Sequence, residues 1–453
     1  MRIRLALPLA LVALLAAACS AAPARADGLT VLTVDKVATF KGRTGHVRVG
    51  ADPRLADAPD PRCPTATAVE LSSYPEPTQR VVVATTVALD CTKWRARRGE
   101  FVYNDPAAPG GVRSLRYGRS GLVIRFGGKG FRAPTGPVGY LQTWLTVGST
   151  RFNARFHNFK RNAPGGLVSR KPSEPAATGE RAFWAVLHHD WQTAADKASL
   201  EATALDCFTQ ASTADKRDGR SRFLLGMTHL YRFGQAVDRF DAVSDFARGE
   251  IEAAHTAFEQ AVPLLWNPTT RTGDSRVPGF AAATTFGLGL VRNDPDMQAA
   301  GLAGLEEAFA VNPFFNVFDY LPVAQAVWTF DPRFQPVFDR VNGYLNDPNT
   351  LACLTTQPEL CANAGYAPRN TVGSLTFFGD MNAKAGDAAA ARRWYTLGLA
   401  LAGGSPPYRF LPALQARVDT VDQRVALFRD ADPANDPSLT GAGPEACATC
   451  HTR

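Results

Sequence analysis

The chain has 453 residues, 45% of them hydrophobic and 20% charged, with a formal net charge of +7. This is an ordinary globular composition with apolar side chains enough for sizeable cores, and the length predicts two or three domains. No Gly-rich phosphate loop, His-Glu-x-x-His or nucleophile elbow occurs, which sets aside the usual NTPase, zinc-protease and serine-hydrolase chemistries.

Arg2 and Arg4 precede an apolar run from Leu5 to Ala18, the charged-then-hydrophobic layout of a secretory signal and too short for a mature membrane span. Residues 1–26 are therefore expected to direct export. Two processing routes stay open: Leu15 to Cys19 resembles a lipoprotein signal with Cys19 lipidated, and Ala24-Arg25-Ala26 suits cleavage before Asp27. Either route predicts a periplasmic or envelope-anchored protein.

Residues 27–161 read as a basic all-β domain. Short runs rich in Val, Leu, Phe, Tyr and Thr recur between Gly and Pro clusters: Leu29–Val34, His46–Val49, Ala68–Ser72, Val81–Leu89, Phe101–Tyr103, Val112–Tyr117, Leu122–Phe126, Gly139–Val147 and Arg151–Phe159. Alternation such as Val112-Arg113-Ser114-Leu115-Arg116-Tyr117 predicts strands with one face buried and one wet, enough for a β-sandwich or small barrel. The stretch from Trp94 through Asp105 to Ser114 resembles a β-module repeated in large exported proteins of environmental bacteria, a likeness that implies no activity. From Asp27 to Arg170 there are 22 Lys and Arg against 10 Asp and Glu, a net of +12; from Lys171 to Arg453 the count is 24 against 32, a net of −8. The basic half suits an anionic envelope surface, or docking onto the acidic half of the same chain. No nucleic-acid motif is present.

Residues 162–179, polar and broken by Pro and Gly, are expected to be a linker, and 180–430 an α-helical repeat-like domain. Ala253–Ala261, Ala303–Pro313 and Gly386–Tyr395 resemble the second helix of a tetratricopeptide repeat, in which small residues let paired helices approach closely. Their irregular spacing predicts a degenerate array rather than a regular groove. The long connectors 267–279 and 346–371 are expected to cap helix ends or to cover a site. Among the cysteines, the economical pairing is Cys63 with Cys91 and Cys353 with Cys361, leaving Cys207 as a buried helical thiol.

Residues 431–453 read as an acidic linker and a tail ending Cys447-Ala448-Thr449-Cys450-His451-Thr452-Arg453. Cys-x-x-Cys-His resembles the attachment motif of c-type cytochromes. The resemblance implies one covalent haem c, with Cys447 and Cys450 as thioether anchors and His451 as the proximal iron ligand. It also implies attachment outside the cytoplasmic membrane, in agreement with the signal. With two residues after His451, the small helical domain usual downstream of this motif has no sequence to form it, so the pocket is expected from the helical domain or a partner subunit.

For the sixth iron position the helical half offers His188, His189, Met227, His229, His255, Met297 and Met381. Met227 and His229 share the apolar stretch Phe223–Tyr231 and are the leading candidates. A second protein ligand would suit electron transfer with an unidentified redox protein, and an open position would suit a haem enzyme or sensor. A non-redox scaffold, using the helical array to bind an envelope partner, is the remaining alternative.

Overall fold

The structure, a computed structural model, describes residues 29–32, 36–75, 82–134, 136–157, 159–163, 165–237, 243–356, 367, 369–403, 407–430, 432–440 and 447–452. The export segment with Cys19, and the side chains of Cys353 and Cys361, lie outside the described residues. The N-terminal half is a β-sandwich. Its strands are β1 (Leu29–Val31), β2 (Val37–Lys41), β3 (Thr44–Val49), β4 (Thr67–Pro75), β5 (Val82–Leu89), β6 (Trp94–Arg97), β7 (Glu100–Asn104), β8 (Val112–Gly118), β9 (Gly121–Gly127), β10 (Val138–Val147), β11 (Thr150–Phe156), β12 (Phe159–Ala163) and β13 (Gly166–Ser169), with a one-turn helix α1 (Pro53–Ala56) between β3 and β4. One sheet runs β1-β11-β10-β4-β5, and the other runs β12-β13-β2-β3-β9-β8-β7-β6.

Period-two patterning explains the packing. In β3, Gly45, Val47 and Val49 face inward while Thr44, His46 and Arg48 face out. Inward residues of both sheets, among them Phe40, Val47, Leu71, Ile124, Leu141 and Phe152, form one continuous core. Phe40, Phe126 and Phe131 stack at its centre with ring centroids 5.2 to 6.3 Å apart. Cys63 and Cys91 are joined by the expected disulfide.

The boundary differs from the expected linker at 162–179. Residues 166–169 form β13, pairing Leu167 with Phe40, and Ser169 Oγ accepts a hydrogen bond from Ala38 N at 2.8 Å. A partner strand supplies the hydrogen bonds here, so a stretch whose composition suggests a loop is sheet. The first long helix, α2 (Glu174–Leu187), starts at an N-cap on Ser173.

The helical half continues with α3 (Ala194–Ala214), α4 (Gly219–Ala236), α5 (Asp245–Leu265), a two-stranded ribbon of β14 (Trp266–Asn267) and β15 (Thr272–Gly273), α6 (Val277–Arg292), α7 (Pro295–Val311), α8 (Pro313–Asn316), α9 (Tyr320–Ala326), α10 (Phe334–Leu345), α11 (Pro348–Thr356), α12 (Asn370–Ala385), α13 (Ala388–Leu401), α14 (Leu411–Asp419), α15 (Val421–Phe428) and α16 (Ala448–His451). Starts are set by side-chain caps, including the Thr193–Asp196 capping box of α3 and the Asp294 cap of α7. Left-handed Asn293 and Gly386 stop α6 and α12.

The three segments that resemble a second repeat helix lie in α5, α7 and α13, and each packs along the helix before it: α5 on α4, α7 on α6, α13 on α12. Small residues allow this. An ideal Cβ on Gly301 would stand 2.5 Å from Phe286 N, so only glycine lets α7 lie this close to α6. Among the described residues no helix is long and apolar enough to cross a membrane.

The two halves meet through the outer face of the smaller sheet. Gln142, Asn153 and Arg155 are buried there rather than wet. Lys36 bonds Glu180 of α2 at 3.2 Å, and Arg276, at the start of α6, lies 5.0 Å over the Tyr140 ring. Part of the basic charge of the sandwich thus docks onto the helical half, while Arg48, Arg95, Arg116 and Arg125 stay exposed on the larger sheet.

Cys207 of α3 is buried and disulfide-bonded, so it is not the spare thiol that the cysteine count suggests; its partner is not among the described side chains. Replacing both Cys63 and Cys91 with Ser is expected to lower the unfolding free energy by about 3 kcal/mol, read from denaturant melts, with the far-UV helical signal of the native protein unchanged.

Candidate functional site

The tail is held against α12 by a chain of specific bonds. Arg369 N donates to Cys450 O at 3.0 Å. Tyr408 Oη donates to Thr449 O at 3.1 Å, and Thr449 Oγ1 reaches Thr440 O at 3.4 Å. Thr440 in turn donates its N and Oγ1 to Asp380 Oδ2 at 2.8 and 2.5 Å.

Asp380 is fully buried on α12, and its Oδ1 also accepts from Tyr395 Oη at 2.6 Å, Arg417 Nε at 3.0 Å and an Arg424 guanidinium nitrogen at 2.8 Å. Burial alone would raise its pKa, but Arg417, Arg424 and the hydroxyl donors outweigh it and hold the carboxyl below the usual range. Gly373 gives α16 its closeness to α12: an ideal Cβ there would stand 2.5 Å from Cys450 Sγ.

Cys447, in a left-handed conformation (φ 58°), opens α16. Cys447 and Cys450 are free thiols, and burial among apolar groups pushes them up to about 11 and about 12. They are therefore neutral at pH 7 and not disulfide-bonded to each other. Both, with His451, line a cavity of about 300 Å³, at the lower end of small-molecule sites. Its walls are mostly aromatic and aliphatic, including Leu224, Phe280, Phe315, Leu321 and Phe377. The His451 ring lies 5.8 Å from that of Trp184, which itself stacks on His188 at 5.6 Å.

Of the sequence-predicted sixth-position candidates, Met227 lines this cavity. His229 does not; its Nδ1 lies 2.7 Å from Glu250, which also bonds Arg232 at 3.0 Å. His188 sits behind Trp184. His189 stacks on Trp191, His255 lies against Thr285, Met297 packs in a satellite cluster and Met381 is core. The connectors contribute directly: Arg276 and Ala367 are on the cavity wall.

Sequence reasoning missed Trp184 as a neighbour of His451, and also Asp380, Arg155, Arg220, Arg276 and Asp319. A signal existed for Asp380, a lone carboxylate in the apolar run Leu375–Met381. Asp319 lines the cavity, and burial raises its carboxyl well above the usual range. Its Oδ2 has no hydrogen-bond partner among the described residues.

Two thiols three residues apart and an adjacent imidazole open on one largely apolar, aromatic-walled cavity, which is the donor set a covalently held haem would use. Among the described residues no cluster of three or more His, Cys, Asp or Glu is placed to hold a bare metal ion. Comparison with family models, with curated proteins and with solved structures finds no match.

Asp380→Asn is expected to cost about 3–5 kcal/mol, because it leaves Arg417 and Arg424 buried against a neutral amide, and to speed hydrogen exchange at 447–452. Because the folded pKa of Asp380 is depressed, its stabilisation is complete above the unfolded carboxyl value of about 3.9 and is lost as pH falls through the lower folded value. The protection of the native tail, the intrinsic exchange rate relative to the observed one at each pH, should therefore fall below about pH 4, and that of the Asn variant should not show this fall.

Proposed function

We propose that this chain is an exported mono-haem c-type cytochrome that transfers electrons at the bacterial cell envelope. The observation that carries the reading is the placement of Cys447, Cys450 and His451 together on the wall of an apolar cavity in the helical domain. Cys447 and Cys450 would hold the porphyrin by adding their S–H groups across its two vinyl double bonds, a step that forms two C–S bonds and needs no oxidant. His451 would ligate the iron. The bound group supplies one-electron chemistry between ferric and ferrous iron.

The chain's own contribution is orientation and exclusion of water. Trp184, backed by His188, lies beside the His451 ring and would limit its swing, and Gly373 lets the Cys450 sulfur sit directly on α12. Met227 is the thioether on the cavity wall, and a Met/His pair is the axial set that raises the reduction potential of cytochromes c. A second reading, a haem enzyme or sensor with an open sixth position, is favoured by Asp319, a buried carboxyl on the same wall whose Oδ2 has no hydrogen-bond partner among the described residues and which could exchange a proton with a bound small molecule.

The exposed arginines of the larger sheet add a proposed contact with an anionic envelope surface. Arg48 and Arg116 both pair across Val123, and Arg116 and Arg95 across Val102, which aligns three guanidinium groups over β3, β8 and β6.

The deciding experiment is expression with a c-type haem-attachment system, followed by a pyridine haemochrome assay and oxidised and reduced spectra. One covalent haem per chain with a sharp low-spin reduced spectrum is expected, and absence of covalent haem would leave the scaffold reading. Cys447→Ala and Cys450→Ala should each remove one thioether. Met227→Ala should convert the reduced spectrum to a high-spin form that binds carbon monoxide, whereas His229→Ala should leave it unchanged; carbon monoxide binding by the native protein would favour the open-site reading.

A further inference from the structure

Three arginines line the same cavity as the Cys-x-x-Cys-His tail, and they come from both halves of the molecule. Arg155 is on β11 of the sandwich, Arg220 is in the first turn of α4, and Arg276 immediately precedes α6. Arg155 and Arg220 also line the adjoining space at the domain interface, so their side chains form part of the wall between the two. Each is positioned by protein groups. Arg155 donates to Gln142 Oε1 at 3.2 Å and lies 4.4 Å over the Tyr140 ring; Arg220 approaches Glu180 at 3.6 Å; Arg276 is doubly bonded to Asp274 at 2.7 and 2.6 Å.

The charge is dense. Glu180 is shared between Arg220 and Lys36. Buried His157 senses them all: burial first, then Arg220, Arg276, Arg155 and Lys36, hold its imidazole well below the usual range and neutral. Arg is the side chain best matched to a carboxylate, and these three open on the cavity that Cys447, Cys450 and His451 also line.

We infer that Arg155, Arg220 and Arg276 form the seat for the two propionate carboxylates of the haem, so that the β-sandwich, through Arg155, is part of the cofactor site. The inference rests on the haem reading above and adds to it a role for the first domain. The chemistry of the group agrees: the propionates leave the porphyrin on the side away from the vinyl groups that bond Cys447 and Cys450. The apolar walls would then cover the ring while the arginines meet its charged edge.

The test uses the full-length haem-loaded protein, in which covalent attachment keeps the group present in every variant. Arg155→Gln, Arg220→Gln and Arg276→Gln are compared with Arg155→Lys and with Arg292→Gln, a control at an exposed pair with Glu252. Loss of a nearby positive charge favours the ferric state, so each Gln variant is expected to lower the midpoint potential and shift the propionate bending bands in the resonance Raman spectrum. Arg155→Lys should retain most of the potential, and the control should match the native protein. Independently, hydrogen exchange across 150–156 should be slower in the haem-loaded protein than in the Cys447→Ala/Cys450→Ala double variant.

Unchanged propionate bands in the arginine variants, or exchange in β11 indifferent to haem, would overturn the inference while leaving the haem reading intact. If Arg155→Gln fails to fold, Arg155→Lys and the exchange comparison decide. A native protein without covalent haem would overturn the haem reading itself, and the haemochrome assay shows this before any variant is made.

Discussion

The carboxylate of Asp380, buried in α12 and bonded by Tyr395, Arg417, Arg424 and Thr440, is the constraint on which the candidate site depends. A short segment such as α16 has too few residues to hold a position by its own helical bonds. Its position comes from outside, through Thr440 to Thr449 and from Arg369 to Cys450. Two cations on one anion also tie α14 and α15 to α12, so the last helical layer and the tail are fixed by the same few bonds. The arrangement gains direction more than stability, since a buried ion cluster of this kind offsets a large desolvation cost.

A second cluster of the same character joins the two halves. Glu180 takes Lys36 from the sandwich and Arg220 from α4, and the polar face of β10 and β11 that would otherwise be wet becomes an interior wall. The sandwich therefore has two unlike outer faces: one, on the smaller sheet, is committed to the helices, while the other, on the larger sheet, carries exposed arginine. The helical half supplies the cavity, and the sandwich closes part of it.

How much of this was legible in the sequence follows from the range of each interaction. Strand alternation, as in Val112–Tyr117, and the small-residue helices in α5, α7 and α13 are local patterns, and the β-then-α architecture and the helix pairing follow from them. The Cys63–Cys91 bridge could be read from proximity in one small domain. Strand β13 could not, because its hydrogen bonds belong to Phe40 and its neighbours, more than a hundred residues away. The cavity was hidden for the same reason: Arg155, Arg220 and Arg276 carry no motif, and only the fold brings them beside Cys450. Met227 and His229 were indistinguishable on an apolar helix until Glu250 was seen to engage the histidine.

The separation of charge described in the sequence, +12 over the sandwich and −8 over the rest, makes the molecule an electric dipole as well as a two-domain body. A charged partner or surface acts on a dipole by torque, turning it before contact rather than only drawing it in. At 0.1 M salt the Debye length is about 10 Å, so this alignment would act in the last approach and weaken as salt rises. The arginine-bearing sheet would lead toward an anionic surface, and the acidic helices that build the cavity would trail.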